Sequence, residues 1–281
     1  MEMTLSNSAP RPLLTIRPRS GWAALELGEA WHFRDLLLSL AGRDVRLRYR
    51  QTFLGAVWVV LQPIMAAGIF TFVFGKVAKM SSGGVPYFLF CYVGLLAWNV
   101  FSNTLSKSSA CLIGNAHLVS KVYFPRVILP FSTVPSALID FVVALALMAV
   151  LMPAYGVHPG LGIVMLPVSL FLILLLAVGA GLITSSLTVS YRDVQYVLPV
   201  LIQFLLYASP VGYAVPDKYR SIYSLNPLSP LLEAFRRSLL GPAGGELHWG
   251  YLACAAAECI AAFLLGVIAF KNMERKFADV I

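Results

Sequence analysis

Apolar residues gather into six long stretches of the sequence, residues 54–74, 85–105, 127–152, 161–190, 194–215 and 249–270. Each reaches the roughly 20 residues that a helix rising ~1.5 Å per residue needs to cross a hydrocarbon core. The fourth would be ~45 Å long if fully helical, so its 184–190 end is expected to project into water. Pro130 and Pro135 in the third stretch, and Pro199 and Pro210 in the fifth, predict kinked or discontinuous helices, because proline lacks a backbone donor. The pattern predicts an all-α integral membrane protein with six transmembrane helices. Residues 1–53 would be an amino-terminal segment, 54–270 the six-span domain and 271–281 a tail. No internal repeat is apparent between the halves, which weighs against a carrier built from inverted repeats.

The polar intervals carry their own patterns. Phe33, Leu36, Leu37 and Leu40 recur at helical spacing while Arg34, Asp35, Ser39 and Arg43 take other faces. This predicts an amphipathic interface helix lying in the membrane plane, followed by Arg43, Arg46, Arg48 and Arg50 at headgroup level. The interval 106–126 is longer than a turn requires and mixes Leu112, Ile113, Leu118 and Val119 with polar residues, so a short amphipathic helix is expected there. Within 216–248, Ser229 suits an N-cap, Pro230 the first helical position, and Gly241-Pro242 a stop after about three turns. Glu233 is spaced to pair with Arg236 or Arg237. Too short to span, this helix predicts a re-entrant hairpin before the last span.

Charge refines the orientation. The 281 residues include 21 Lys+Arg and 13 Asp+Glu, giving +8, with 12% charged and 59% hydrophobic. Because the basic residues lie between apolar stretches, the excess reads as a topology signal and not as nucleic-acid binding. With both termini cytoplasmic, 15 basic residues fall inside and six outside. No leader-like apolar core is visible near the start. After six spans there is no room for a nucleotide-hydrolysing domain, and the chain has no G-x-x-x-x-G-K-[ST] loop; Gly75-Lys76 lacks both the earlier glycine and the following Ser or Thr.

Side-chain chemistry is sparse. Cys91, Cys111, Cys254 and Cys259 show no CxxC spacing and read as packing residues. His32, His117, His158 and His248 form no pair with metal-ligand spacing, and no nucleophile system is evident. Asp140 and Glu258 lie within apolar stretches, where an acid costs about 2.5–3.5 kcal/mol on insertion scales. Neither stretch contains a Lys, Arg or His, so hydrogen bonding at helix interfaces is the favoured reading and a proton relay the alternative.

Several motifs occur in order: residues 43–55 (RDVRLRYRQTFLG) leading to Trp58 and Leu61-Gln62-Pro63; Val122-Tyr123-Phe124-Pro125-Arg126; Tyr191-Arg192-Asp193-Val194; and Asn226-Pro227 with Glu233 and Arg236. Together with six spans, they resemble the membrane subunit of type-2 ABC exporters, specifically the group exporting O-antigen, capsular or teichoic-acid polysaccharides. The resemblance covers the chain from about Trp22 to Phe270. It implies two copies of this subunit forming a channel, and two copies of a separate ATPase chain that binds ATP and Mg; this chain itself would hold no cofactor and catalyse nothing.

The resemblance also implies site residues. Phe33, Leu36, Leu37 and Leu40 would form the ATPase interface helix. A coupling helix over 114–123 would include Gly114, Asn115, His117, Leu118, Lys121 and Tyr123, with Arg192 and Asp193 at the next cytoplasmic turn. Asn226, Pro227, Glu233 and Arg236 would belong to the external re-entrant helix capping the pore. With the first, second and fifth spans lining the conduit, Phe70, Phe72, Phe74, Tyr87, Phe88, Phe90, Tyr92, Tyr207 and Tyr213 would offer stacking faces to a sliding sugar polymer; an interfacial aromatic belt is the plainer alternative. The Arg43, Arg46, Arg48 and Arg50 cluster would receive the headgroup of lipid-linked polysaccharide at a lateral gate. The setting would be a bacterial inner membrane, in contact with membrane lipids. Export of drugs or small lipids, and ion-coupled carriage through Asp140 and Glu258, are the rival readings.

Overall fold

The computed structural model of the protein describes residues 33–50 and 55–280. The 1–32 part of the amino-terminal segment, residues 51–54 and the side chains of Arg48 and Arg50 lie outside the described residues. Every regular element among the described residues is helical. In chain order these are α1 (Arg34–Arg50), α2 (Gly55–Phe70), α3 (Tyr87–Gly114), α4 (Ala116–Lys121), α5 (Ile128–Ser132), α6 (Val134–Ala154), α7 (Met165–Ser190), α8 (Val194–Ala208), α9 (Arg220–Tyr223), α10 (Leu228–Leu240) and α11 (Trp249–Val280).

Among the described residues, five helical stretches are long and apolar enough to cross a membrane: Val57–Val77, Tyr87–Gly114, Ile128–Ala154, Gly162–Ser190 and Trp249–Glu274. The fifth predicted span, 194–215, is helical only over the 15 residues of α8. At ~1.5 Å per residue that is roughly 22 Å, short of a full crossing. The chain breaks at Ser209-Pro210, because Pro210 brings no donor to continue the helix. The third span divides at Thr133 into α5 and α6, with Pro135 at the second position of α6. The first ends in a π-helical stretch, Thr71–Val77. The second runs nine residues beyond its predicted end, which carries Lys107 into a helix that the sequence pattern leaves as loop. The predicted tail, too, continues α11 as helix.

α3 is the central helix: 78% of its apolar window is buried, against 11% for Val57–Val77 and 28% for Trp249–Glu274. α7 lies between α3 and α11. Lipid is as apolar as leucine, so such helices associate through close van der Waals contact at small residues. Gly179 of α7 shows this: a Cβ there would sit 2.7 Å from Phe263 Cα of α11. The larger core gathers α3, α6, α7 and α10 around Phe90, Tyr92, Phe141, Leu231 and Phe235. A second core closes one end, where Leu40 of α1 meets Leu112, Phe124, Ile128, Phe270 and Phe277.

Candidate functional site

The break after α8 is held by side chains from α3, α10 and the connection that leads into α10. Arg236 of α10 is 1% exposed, and its Nη2 donates to the carbonyls of Pro210 at 2.6 Å and Val211 at 3.1 Å. Its guanidinium lies 3.9 Å from the ring centre of Phe90 on α3. Burial lowers the Arg236 pKa and Glu233 opposes that shift. Two carbonyl dipoles and an aromatic face thus compensate the cation in place of a contacting carboxylate, while its Nε is buried without a hydrogen-bond partner among the described residues. Tyr87 Oη donates to the Gly212 carbonyl at 2.7 Å, and Asn226 Nδ2 to Ser209 Oγ at 2.9 Å. Gly94 makes the approach possible, because any side-chain carbon there would collide with the Val211 carbonyl.

α10 itself departs from expectation at its start. Leu228 opens the helix, and its N–H donates to Asn226 Oδ1 at 3.1 Å, so Asn226 supplies the capping oxygen. Ser229 lies inside the helix. Gly241, with φ of +65°, ends it as predicted. Neither arginine contacts Glu233: Arg236 turns inward, and Arg237 donates to the Gly245 carbonyl at 2.8 Å. Burial raises the Glu233 pKa, countered by Arg220, Arg236 and His248.

Of the nine aromatic residues expected on a conduit, Phe72 and Tyr207 are exposed on the protomer. Phe90 and Tyr92 are in its core, Phe90 beneath Arg236 and Tyr92 donating to the Ala144 carbonyl at 3.0 Å, so neither offers a free face. Phe88 is half-buried against Tyr92, with ring centres 6.1 Å apart. Phe70, Phe74 and Tyr213 form a chain of ring contacts that ends on Tyr223. Together with Tyr87 they surround the 209–213 break. Two continuous exposed faces were not singled out by sequence. Trp58, Gln62, Met65, Ile69, Phe72 and Lys76 recur at helical spacing along α2 and its π extension. On α8 only Leu198 is buried, leaving Tyr196, Phe204 and Tyr207 outward. The exposed spacing on α2 was available in the sequence; which face was unpartnered was not.

Asp140 meets Lys107 across α6 and α3, with Nζ 3.5 Å from Oδ2 and 2.9 Å from Ser136 Oγ. Beside them Gln62, Asn99 and Asn103 line a cavity of about 40 Å³ between α2, α3 and α6. That is room for a few waters among polar partners. Glu258 instead faces outward on α11 and makes no hydrogen bond or ion pair among the described residues, contrary to the expected interface bonding.

At the end closed by the second core, α1 continues as helix through the arginine cluster that was expected to follow it. Leu40 is buried, and Phe33, Leu36 and Leu37 pack partly against the same core, so this face holds α1 to the bundle. Arg43 Nη2 donates to Asn115 Oδ1 at 2.7 Å and pairs with Asp44 at 3.0 Å; Arg46 donates to the Gly42 carbonyl at 3.2 Å. The short helix expected over 114–123 is α4. Gly114 and Asn115 form its joint with α3, Leu118 is partly buried, and His117, Lys121 and Tyr123 are exposed. Arg192 and Asp193 are exposed on the turn before α8. Arg126 anchors this end by donating from Nη1 to the Glu274 carbonyl at 2.7 Å.

The family model described as ABC-2 type transporter matches residues 35–240, from α1 through the end of α10. The chain is 32% identical over 213 residues to an O-antigen export system permease protein from Myxococcus xanthus, covering 74% of this chain and 81% of that protein. It is 27% identical over 252 residues to a protein of the same description from Klebsiella pneumoniae, covering 88% and 95%. A polysialic acid transport protein from Escherichia coli is 24% identical over 206 residues, covering 70% and 78%. The matched region contains both the 209–213 clamp and the exposed faces of α2 and α8, and the chain is therefore a membrane-spanning member of the ABC-2 type transporter family.

Proposed function

We propose that the chain is the channel-forming subunit of an ATP-driven exporter that moves lipid-linked polysaccharide, of O-antigen type, across a bacterial inner membrane. The observation that carries this reading is similarity along most of the chain to permeases described as O-antigen export proteins. Two copies face each other through the exposed sides of α2 and α8, and between them Trp58, Phe72, Tyr196, Phe204 and Tyr207 present stacking surfaces to sugar rings. Aromatic faces suit a sliding polymer, since they hold it without a fixed set of hydrogen bonds. α8 completes a sixth crossing together with the 209–213 segment, and α9–α10 form the external re-entrant cap. Both termini are cytoplasmic.

ATP and Mg bind two copies of a separate ATPase, which contact the exposed residues of α4 (His117, Lys121 and Tyr123), Arg192 and Asp193, and the outward side of α1. Closure of that engine tilts α1 and α4. Because Arg43 bonds Asn115, the two move together and pass the motion to α3. The Arg43, Arg46, Arg48 and Arg50 side receives the anionic lipid headgroup. The test is a strain lacking this chain: surface polysaccharide should disappear and lipid-linked polymer accumulate inside, with rescue by the wild-type chain. Normal surface polymer in that strain would contradict the proposal.

A further inference from the structure

The first turns of α7 and α11, the carboxyl end of α10 and the connection into α11 enclose a groove of about 550 Å³. Its size falls within the range of small-ligand sites. One wall is apolar: Val164, 67% exposed, Met165 and Trp249, 62% exposed. Trp249 is the first residue of a spanning helix, the level at which tryptophan meets lipid headgroups.

The other wall carries both signs of charge. Arg237 is fixed by one N–H on the Gly245 carbonyl and forms no ion pair with a carboxylate among the described residues. Glu246 has 79% of its side chain exposed and, among the described residues, pairs only with His248, at 4.0 Å. His248 is itself engaged by Arg220. A guanidinium and a carboxylate thus share one groove, both available to a ligand, beside an apolar wall at the membrane boundary.

We propose that this groove binds the headgroup of a zwitterionic aminophospholipid. The guanidinium of Arg237 takes the phosphate, the Glu246 carboxylate takes the ammonium, and Val164, Met165 and Trp249 cover the glycerol and first acyl carbons. A singly anionic headgroup satisfies Arg237 but leaves Glu246 facing negative charge. A neutral sugar can stack on Trp249 but brings neither a phosphate for Arg237 nor an ammonium for Glu246.

The test uses the purified chain in detergent with equal mole fractions of phosphatidylethanolamine and phosphatidylglycerol added, and counts retained lipids by native mass spectrometry. Wild type should retain phosphatidylethanolamine in preference, Glu246→Gln should reduce that preference by roughly tenfold, and Arg237→Gln should lower retention of both lipids by a similar factor. Quenching of Trp249 fluorescence by each lipid carrying brominated acyl chains, with Trp249→Phe as the blank, reads the same site independently. Size-exclusion elution unchanged from wild type confirms that the variants are folded. Equal retention of the two lipids by wild type, a preference unaltered by Glu246→Gln, or retention of both lipids unaltered by Arg237→Gln would overturn the proposal.

Discussion

The guanidinium of Arg236 lies 3.9 Å above the ring centre of Phe90, and the same group bonds the carbonyls of Pro210 and Val211. One buried cation therefore ties α10 and the break after α8 to the central helix. Replacing Arg236 by Met leaves two buried carbonyls without that donor and removes the stack. A loss of roughly 3–5 kcal/mol is expected, measured as thermal unfolding in detergent. Phe90→Leu should cost less, about 2 kcal/mol, and a double-mutant cycle should show coupling between the two.

Gly94 tests the same clamp from the other side. Gly94→Ala places a carbon against the Val211 carbonyl and should destabilise by about 1–3 kcal/mol. Export should fall with it, whereas Gly250→Ala, in open space on α11, should leave both unchanged.

Much of the scaffold was legible in the sequence. Uncharged runs located five of the six expected spans and α8 as a shorter helix, Gly241 marked the end of α10, and the apolar spacing of Phe33, Leu36, Leu37 and Leu40 gave the buried face of α1. Contacts between distant segments were not legible. Spacing within one helix suggested Glu233 for Arg236, but the carbonyls exposed by the proline break, together with the gap at Gly94, draw the guanidinium inward. Asp140 looked isolated because Lys107 lies just beyond the apolar run of the second span; helix propensity and packing extend α3 past that point and bring the two together. Phe90 and Tyr92 are aromatic like Phe72, yet they sit on the inner side of the most buried helix, a distinction that composition does not carry.

The Lys107 and Asp140 pair yields a prediction of its own. Asp140 is almost fully buried, while Lys107 keeps 31% of its side chain exposed. Asp140→Asn or Lys107→Gln alone should lower stability by roughly 2–3 kcal/mol, below the full value for a buried pair because of that exposure. The double variant should recover much of the loss. If this pair is structural, ATP-driven export by the double variant should not depend on an imposed proton gradient.

Glu233 gives a pH dependence with a definite sign. Burial raises its pKa in the folded protein, so the folded state binds the proton more tightly than the unfolded state. The penalty is absent below the ordinary carboxylate range and develops as pH rises through the elevated folded value. Glu233→Gln should therefore raise the melting temperature at pH 8 and leave it near wild type at pH 4.

We propose that this chain forms the conduit for a lipid-linked polysaccharide driven by a partner ATPase. This role is tested most directly by reconstituting both chains in liposomes with the lipid-linked polymer and following its appearance on the far side of the membrane. Transport should require ATP and this chain, and should fall when Phe72, Phe204 and Tyr207 are replaced together by Ala. Transport sustained by an ion gradient without ATP, or no polymer crossing from an intact complex that hydrolyses ATP, would contradict it.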